Sequence, residues 1–238
     1  MYKNYIFDLY GTLVDISTDE NNPALWDKLG EIYWAYGAAY APGELWKAYG
    51  KLELEEKEKQ TVENEEIDIT KIFAELYRSK GIDCSVELAR MTAITFRAMS
   101  RSKINLYDGV LEVLEELKKR GKGIYLLSNA QTDFTRPEIS MMGIEKYFDG
   151  IFISSEQGVK KPSDAFFAKL MNTYGLDSKE SVMIGNDELA DIAGANRVGM
   201  DSLYIHTSIS PQETGKADAT YRIMDGDFRK IMSLIVEE

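Results

Sequence analysis

The sequence predicts an α/β protein in which a doubly wound parallel sheet carries an inserted α-helical cap. Three observations predict it. The chain opens on an apolar run, Tyr5-Ile6-Phe7, that ends in Asp8 and turns at Gly11-Thr12. Residues 22–101 then offer helical patterns and no good strand. From Asn105 onward short apolar runs alternate with amphipathic stretches, which implies right-handed crossovers and a parallel sheet.

The elements follow in order. Tyr5–Phe7 suits a strand buried on both faces, delivering Asp8 to the carboxyl edge of the sheet where open α/β folds place ligands. Helical patterns cover Pro23–Tyr36, Gly43–Thr61, Ile69–Ser79 and Ser85–Ser100, with Asn22-Pro23 reading as an N-cap and a proline at the first helical position. Gly37, Pro42, Asn64 and Gly81 punctuate them. Val110–Lys119 is an amphipathic helix closed by Arg120-Gly121. Gly123–Leu127, Gly150–Ser154 and Val182–Ile184 read as buried strands. Helices are expected near Thr132–Met142, over Ser163–Tyr174 and over Leu189–Val198. Ser202–Ile205 and Ala219–Ile223 read as edge strands, and Phe228–Val236 as a last helix. The expected division is a core of residues 1–16 and 103–238 and a cap of residues 17–102.

Composition narrows the function classes. The chain has 238 residues, of which 44% are hydrophobic and 29% charged, the balance of a globular protein. A net charge of −12 argues against nucleic acid or anionic membranes as partners. Any phosphate substrate must therefore be drawn in by a local positive site. The single Cys84 excludes an internal disulfide and fits a reducing compartment, and no run approaches membrane-spanning length. The expectation is a cytoplasmic protein, with no protein partner implied.

Four segments at predicted strand ends converge if the sheet is parallel. Asp8, with Tyr10 and Thr12, reads as a nucleophile, a metal ligand or a turn cap. Ser128-Asn129 offers a hydroxyl and free N–H groups at a helix start, either an anion site or a plain cap. Lys161, held extended by Pro162, is a cation able to face a cleft or a surface lysine. Gly185 to Ala195 sets Asn186, Asp187 and Asp191 beyond a strand, oxygen ligands suited to Mg2+ or acids at a helix N-terminus.

In order and spacing these segments resemble the motifs of the haloacid dehalogenase-like hydrolases, in the group whose helical cap follows the first motif. Phe7-Asp8-Leu9-Tyr10-Gly11-Thr12-Leu13 resembles motif one and Leu127-Ser128-Asn129 motif two. Gly158-Val159-Lys160-Lys161-Pro162 resembles motif three, and Gly185 to Asp191 with its Asp-Ile-Ala-Gly-Ala tail motif four. The likeness spans essentially the whole chain and implies a Rossmann-like core. It further implies a Mg2+-dependent phosphatase acting on a small-molecule phosphate, with Asp8 as nucleophile and Ser128 and Lys161 as catalytic phosphate contacts. Thr12 and Asn129 join the substrate contacts. Asp8, the Tyr10 carbonyl, Asn186, Asp187 and Asp191 form the metal set.

Two positions depart from that pattern. Tyr10 stands where the family usually has a second Asp, which protonates the leaving alkoxide and then activates water. A phenol of ordinary pKa about 10 is a poor general base, and general acid–base help is worth roughly a hundred- to ten-thousand-fold. Acyl and aryl phosphates, with good leaving groups, are the substrates least affected. Asn186 stands where the main metal-binding Asp is usual, so metal affinity should fall unless Asp187 takes over.

The Asp-x-Tyr-Gly-Thr form also resembles the metal-independent 2-haloacid dehalogenases, where no leaving-group acid is needed. Three features resist that reading: no Arg precedes Arg78, Phe167 replaces a Tyr six residues after Lys161, and Asp187 adjoins Asn186. A pseudo-enzyme that binds phosphate and metal with little turnover is the remaining alternative. Of the aromatics in the first half of the cap, most are expected in its core, with one or two at the cleft. Lys160, Glu188 and Arg136 read as a solvated rim, and His206 as structural.

Overall fold

The computed structural model describes residues 2–61, 63–215 and 217–236. Its strands are β1 (Asn4–Phe7), β2 (Val14–Thr18), β3 (Arg101–Leu106), β4 (Gly123–Ser128), β5 (Gly150–Ile153), β6 (Ser181–Gly185), β7 (Asp201–Ile205) and β8 (Tyr221–Ile223). Its helices are α1 (Pro23–Ala35), α2 (Glu44–Glu58), α3 (Ile69–Arg78), α4 (Val86–Ser100), α5 (Val110–Lys119), α6 (Thr132–Met141), α7 (Ser154–Gln157), α8 (Asp164–Tyr174) and α9 (Ala193–Arg197).

Six strands form one sheet in the order β5-β4-β1-β6-β7-β8, every pair parallel. β1 lies near its centre, with Tyr5, Ile6 and Phe7 fully buried because side chains pack on both faces. One face carries Phe7, Val113, Leu117, Ile184 and Phe228; the other carries Ile6, Leu127, Phe166, Phe167 and Met183. That two-sided burial explains the uninterrupted apolar runs of these strands. One expectation is corrected here. β7 is not an edge strand, because β8 pairs beside it; the edges are β5 and β8. Its unbroken burial from Ser202 to Ile205 reflects that interior place.

The four helices between β2 and β3 bury their own cluster, including Leu25, Trp26, Leu29, Tyr33, Phe73, Tyr77 and Phe96. Tyr33 and Tyr77 stack with ring centroids 4.0 Å apart. Asn22 caps α1, its side chain accepting from the Ala24 N–H, and Pro23 opens the helix. The chain enters and leaves this unit through β2 and β3, an antiparallel two-stranded ribbon. The expected boundaries at 16/17 and 102/103 fall within these two strands.

Two helical expectations differ in detail. Residues 188–198 form a wide π turn over Glu188–Ile192 followed by the short α9, and the C-terminal segment closes in a similar wide turn at Met232–Val236. Among the described residues no helix is long and apolar enough to cross a membrane.

Candidate active site

The central strands β4, β1 and β6 end side by side, and their carboxyl ends supply Ser128, Asp8 and Asn186. The turn after β1 holds Asp8 by two devices. The Asp8 N–H continues the sheet to the Ile184 carbonyl (2.9 Å), and Gly11 adopts φ +86°. A Cβ on Gly11 would fall 2.3 Å from the Asn186 amide nitrogen, so this glycine serves both the turn and the approach of Asn186. Gly185 plays the second part for Asp191, whose carboxylate comes within 2.1 Å of where a Cβ would sit.

Lys161 organises the site. The residue is 3% exposed, and its ammonium donates to Asp8 Oδ1, to Asp191 Oδ1 and to the Leu127 carbonyl, each at 2.7 Å. Burial works against its charge, yet the carboxylates of Asp191 and Asp8 outweigh that and raise its pKa. Burial also pushes the Asp191 carboxyl up, opposed by Lys161 and assisted by the Asp8 charge. An ammonium buried with two carboxylates leaves a net negative centre, which a divalent cation would balance.

The other expected residues lie around this cluster. Asp8, Tyr10, Ser128, Asn129, Lys161, Asn186, Asp187 and Asp191 all line one pocket of about 190 Å3. The Ser128 hydroxyl is buried there and has no hydrogen-bond partner among the described residues. Such an orphan is costly unless a ligand satisfies it. Thr12 is fully buried beneath the pocket, its hydroxyl 3.2 Å from both Asp8 Oδ2 and Asn186 Oδ1. Asn129 grips the main chain of Lys161: its Oδ1 accepts the Lys161 N–H (2.8 Å) and its Nδ2 donates to the Lys161 carbonyl (3.0 Å). Its amide thus fixes the lysine.

The donor set suits Mg2+ in kind. It is oxygen-rich, with two buried carboxylates, Asp8 and Asp191, and the Asn186 amide around a pocket that Tyr10 also lines. Asp187 commits one carboxylate oxygen to the backbone. Its Oδ1 caps the turn, accepting from the N–H groups of Leu189 (2.8 Å) and Ala190 (2.9 Å), while its own N–H donates to Asp191 Oδ2 (3.0 Å). Among the described residues no group of three or more acidic, His or Cys side chains is arranged around one metal position.

Tyr10 is tied elsewhere. Its phenol donates to Glu138 Oε2 (2.5 Å) and lies 3.1 Å from the Thr135 hydroxyl, and burial raises its pKa far above the ordinary value. The Arg97 guanidinium lies 5.1 Å from the ring centroid, and Arg97 Nε and Arg101 donate to Glu138 Oε1 at 2.9 and 2.8 Å. This cluster, with Glu138 3% exposed, joins the turn after β1 to α4, β3 and α6. Apart from Tyr10, its members are not among the expected site residues. A signal existed: Arg97 falls on the buried stripe Ala89, Ala93, Phe96 and Ser100 of α4, where an unpaired charge would be untenable.

The rim residues divide. Arg136 is exposed and paired with Glu156, as expected of a solvated residue. Lys160 is half-buried beside Glu66. Glu188 is a correction: it is 4% exposed and accepts hydrogen bonds from Thr214, Gly215 and Ala217. His206 is exposed. No aromatic of the cap lines the pocket at Asp8; Trp26, Trp34, Tyr40 and Trp46 line a separate hollow of about 320 Å3 on the cap.

A family model described as haloacid dehalogenase-like hydrolase matches residues 2–199, and the chain belongs to that family. It is 33% identical over 125 residues to a ribulose-1,5-bisphosphate 5-phosphatase of Halopiger xanaduensis, a match spanning 52% of each chain. A longer match, 27% identical over 229 residues, covers 93% of the chain and 91% of a pyrimidine 5'-nucleotidase of Streptococcus pneumoniae. The fold is shared with a 2-haloacid dehalogenase from Pseudomonas syringae (TM-score 0.64, 21% identity, 94% of each chain). It is also shared with a magnesium-bound putative hydrolase of the family from Bacillus subtilis (TM-score 0.57, 18% identity, 98% and 97% covered).

Proposed function

We propose that the chain is a Mg2+-dependent hydrolase of small-molecule phosphomonoesters that works through an aspartyl-phosphate on Asp8. In this reading residues 1–16 and 103–238 form the catalytic core and residues 17–102 the cap, and the protein works in the cytoplasm. The observation that carries it is the buried Lys161 ammonium between Asp8 and Asp191, beside an orphan Ser128 hydroxyl in the same pocket. A phosphate supplies the acceptors that Ser128 lacks, and its named relatives include phosphatases acting on sugar and nucleotide phosphates.

The substrate phosphate is held by Ser128 and by Lys161, whose position Asn129 fixes. A carboxylate oxygen of Asp8 forms the new P–O bond as the bond from phosphorus to the leaving oxygen breaks. Lys161 neutralises charge gathering on the equatorial oxygens, without reorganising as the charge develops. Bound Mg2+, held by Asp8, Asp191, Asn186 and the Tyr10 carbonyl with help from Asp187, would supply further charge neutralisation. Water then attacks phosphorus and releases Asp8 and inorganic phosphate. Tyr10 is no general acid here, because its proton is committed to Glu138. The leaving oxygen departs as an anion and takes its proton from water, which favours aryl and acyl phosphates.

The test is hydrolysis of an aryl phosphate by wild type and Asp8→Asn, each with and without Mg2+. Turnover that needs both Asp8 and Mg2+ is expected; turnover surviving Asp8→Asn contradicts the reading. The locked phenol of Tyr10 and the uncharged Asn186 favour one second reading, a phosphate- and metal-binding protein with little turnover. It predicts phosphate binding with no Asp8-dependent hydrolysis.

A further inference from the structure

Ile209 and Pro211 line the pocket at Asp8, where Ala190 is the other aliphatic residue. Both Ile209 and Pro211 belong to the segment that follows β7, and Ile209 is 39% exposed. No residue of α1–α4 lines the pocket. The segment is tied to the catalytic turns at three points. Thr207 Oγ1 donates to the Gly11 carbonyl (2.7 Å), beside the nucleophile. Asn186 Nδ2 reaches the Ser210 hydroxyl at 3.5 Å. The third and strongest tie is Glu188. Its Oε2 accepts from the Thr214 N–H, the Thr214 hydroxyl (2.9 Å) and the Gly215 N–H (3.1 Å), and its Oε1 accepts from the Ala217 N–H (3.1 Å).

Four hydrogen bonds on one carboxylate are a strong, charge-assisted restraint. Glu188 stands between Asp187 and Asp191 in sequence, within the wide turn that shapes the site. The turn that presents Asp191 to Lys161 therefore also sets the position of Ile209 and Pro211. A π turn at such a place recurs at functional sites.

We infer that the segment 207–215 is the leaving-group wall of this enzyme, with Ile209 and Pro211 selecting phosphomonoesters whose leaving group is apolar or aromatic and Glu188 as the positioning residue. This rests on the phosphatase reading for the chemistry but not for its test. A half-exposed isoleucine facing a pocket of polar groups gains only from a ligand that covers it. An aryl leaving group does so, and it also departs without the acid that Tyr10 fails to provide.

The test uses two ligands that are not hydrolysed, phenylphosphonate and methylphosphonate, titrated calorimetrically into the full chain with Mg2+ present. Wild type is expected to bind phenylphosphonate about ten-fold more tightly, equivalent to roughly 1.4 kcal/mol. Ile209→Asn, at an exposed position, should bring the two affinities within about two-fold while leaving methylphosphonate unchanged. Glu188→Gln should shrink the same ratio, whereas a merely structural loss would weaken both ligands alike. Wild type that does not discriminate, variants that keep the ten-fold ratio, or variants that lose both ligands equally would overturn the inference. Binding of neither phosphonate would overturn it as well. Failure of the catalytic reading shows separately, as absent Asp8-dependent hydrolysis in protein that still prefers the phenyl ligand.

Discussion

Two buried ionic clusters lie either side of the turn after β1, and they are built to opposite ends. Around Glu138, Arg97 and Arg101 answer the carboxylate and the Tyr10 phenol and Thr135 complete the hydrogen bonding. Around Lys161, two carboxylates share one ammonium, and the Ser128 hydroxyl beside them has no partner among the described residues. The first cluster is satisfied and ties cap helix α4 to core helix α6. The second is anionic and incomplete. Burial alone does not separate them, since both hold groups under 10% exposed. What separates them is the unmet demand: a satisfied cluster holds a fold together, and an unsatisfied one waits for a ligand.

The comparison breaks most visibly at Asp8. Asp8→Asn should lower kcat on an aryl phosphate by about 10^4-fold or more, with a folded protein by circular dichroism. An equal loss from Glu138 substitution at unchanged stability would erase the distinction between the clusters. Glu138→Leu should instead cost about 3–5 kcal/mol in chemical denaturation, because it strands two arginines. Replacing Arg97, Arg101 and Glu138 together by Met, Met and Leu should recover much of that stability, since apolar side chains can replace a structural ion cluster.

Ser128→Ala sharpens the contrast from the other side. Losing one preorganised donor should cut kcat/KM by about 10^2-fold. Its melting temperature should hold or rise, because a buried unpartnered hydroxyl is removed. A marked fall in melting temperature would mean that Ser128 serves the fold.

The smallest effect concerns Glu188 and pH. Its folded pKa of about 2 lies below the unfolded value, about 4.3, so its contribution to stability is present above the unfolded value and lost as pH falls toward 2. Glu188→Gln should therefore melt below wild type at pH 7, and the gap should close between about pH 4 and pH 2. A gap independent of pH would show that the carboxylate charge plays no part in the clamp.

Much of the architecture was legible because the strands of a parallel sheet are apolar on both faces and the helices carry caps. Tyr5–Phe7 and Gly123–Leu127 announce themselves this way, and so does Asn22-Pro23. The ribbon of β2 and β3 did not, since Val-Asp-Ile-Ser-Thr and Arg-Ser-Lys-Ile-Asn-Leu are short, polar and half-exposed. β7 was misjudged because a strand's neighbours are set by topology, not by its own residues. At the site, Asp8, Ser128, Lys161 and Asp191 were visible as types at fixed spacings. The duties of Tyr10 and Glu188 were not. Each depends on a partner far along the chain, Glu138 for Tyr10 and Thr214 for Glu188, which no local pattern reveals.

The central claim is that Asp8 carries the phosphoryl group. It is tested most directly by mixing the Mg2+-loaded protein with an aryl phosphate, quenching in acid within the first turnover and mapping the peptides by mass spectrometry. A phosphoryl group on the peptide containing Asp8, absent from Asp8→Asn, is the predicted result. Hydrolysis with that peptide unmodified, or with the label on another residue, would contradict it.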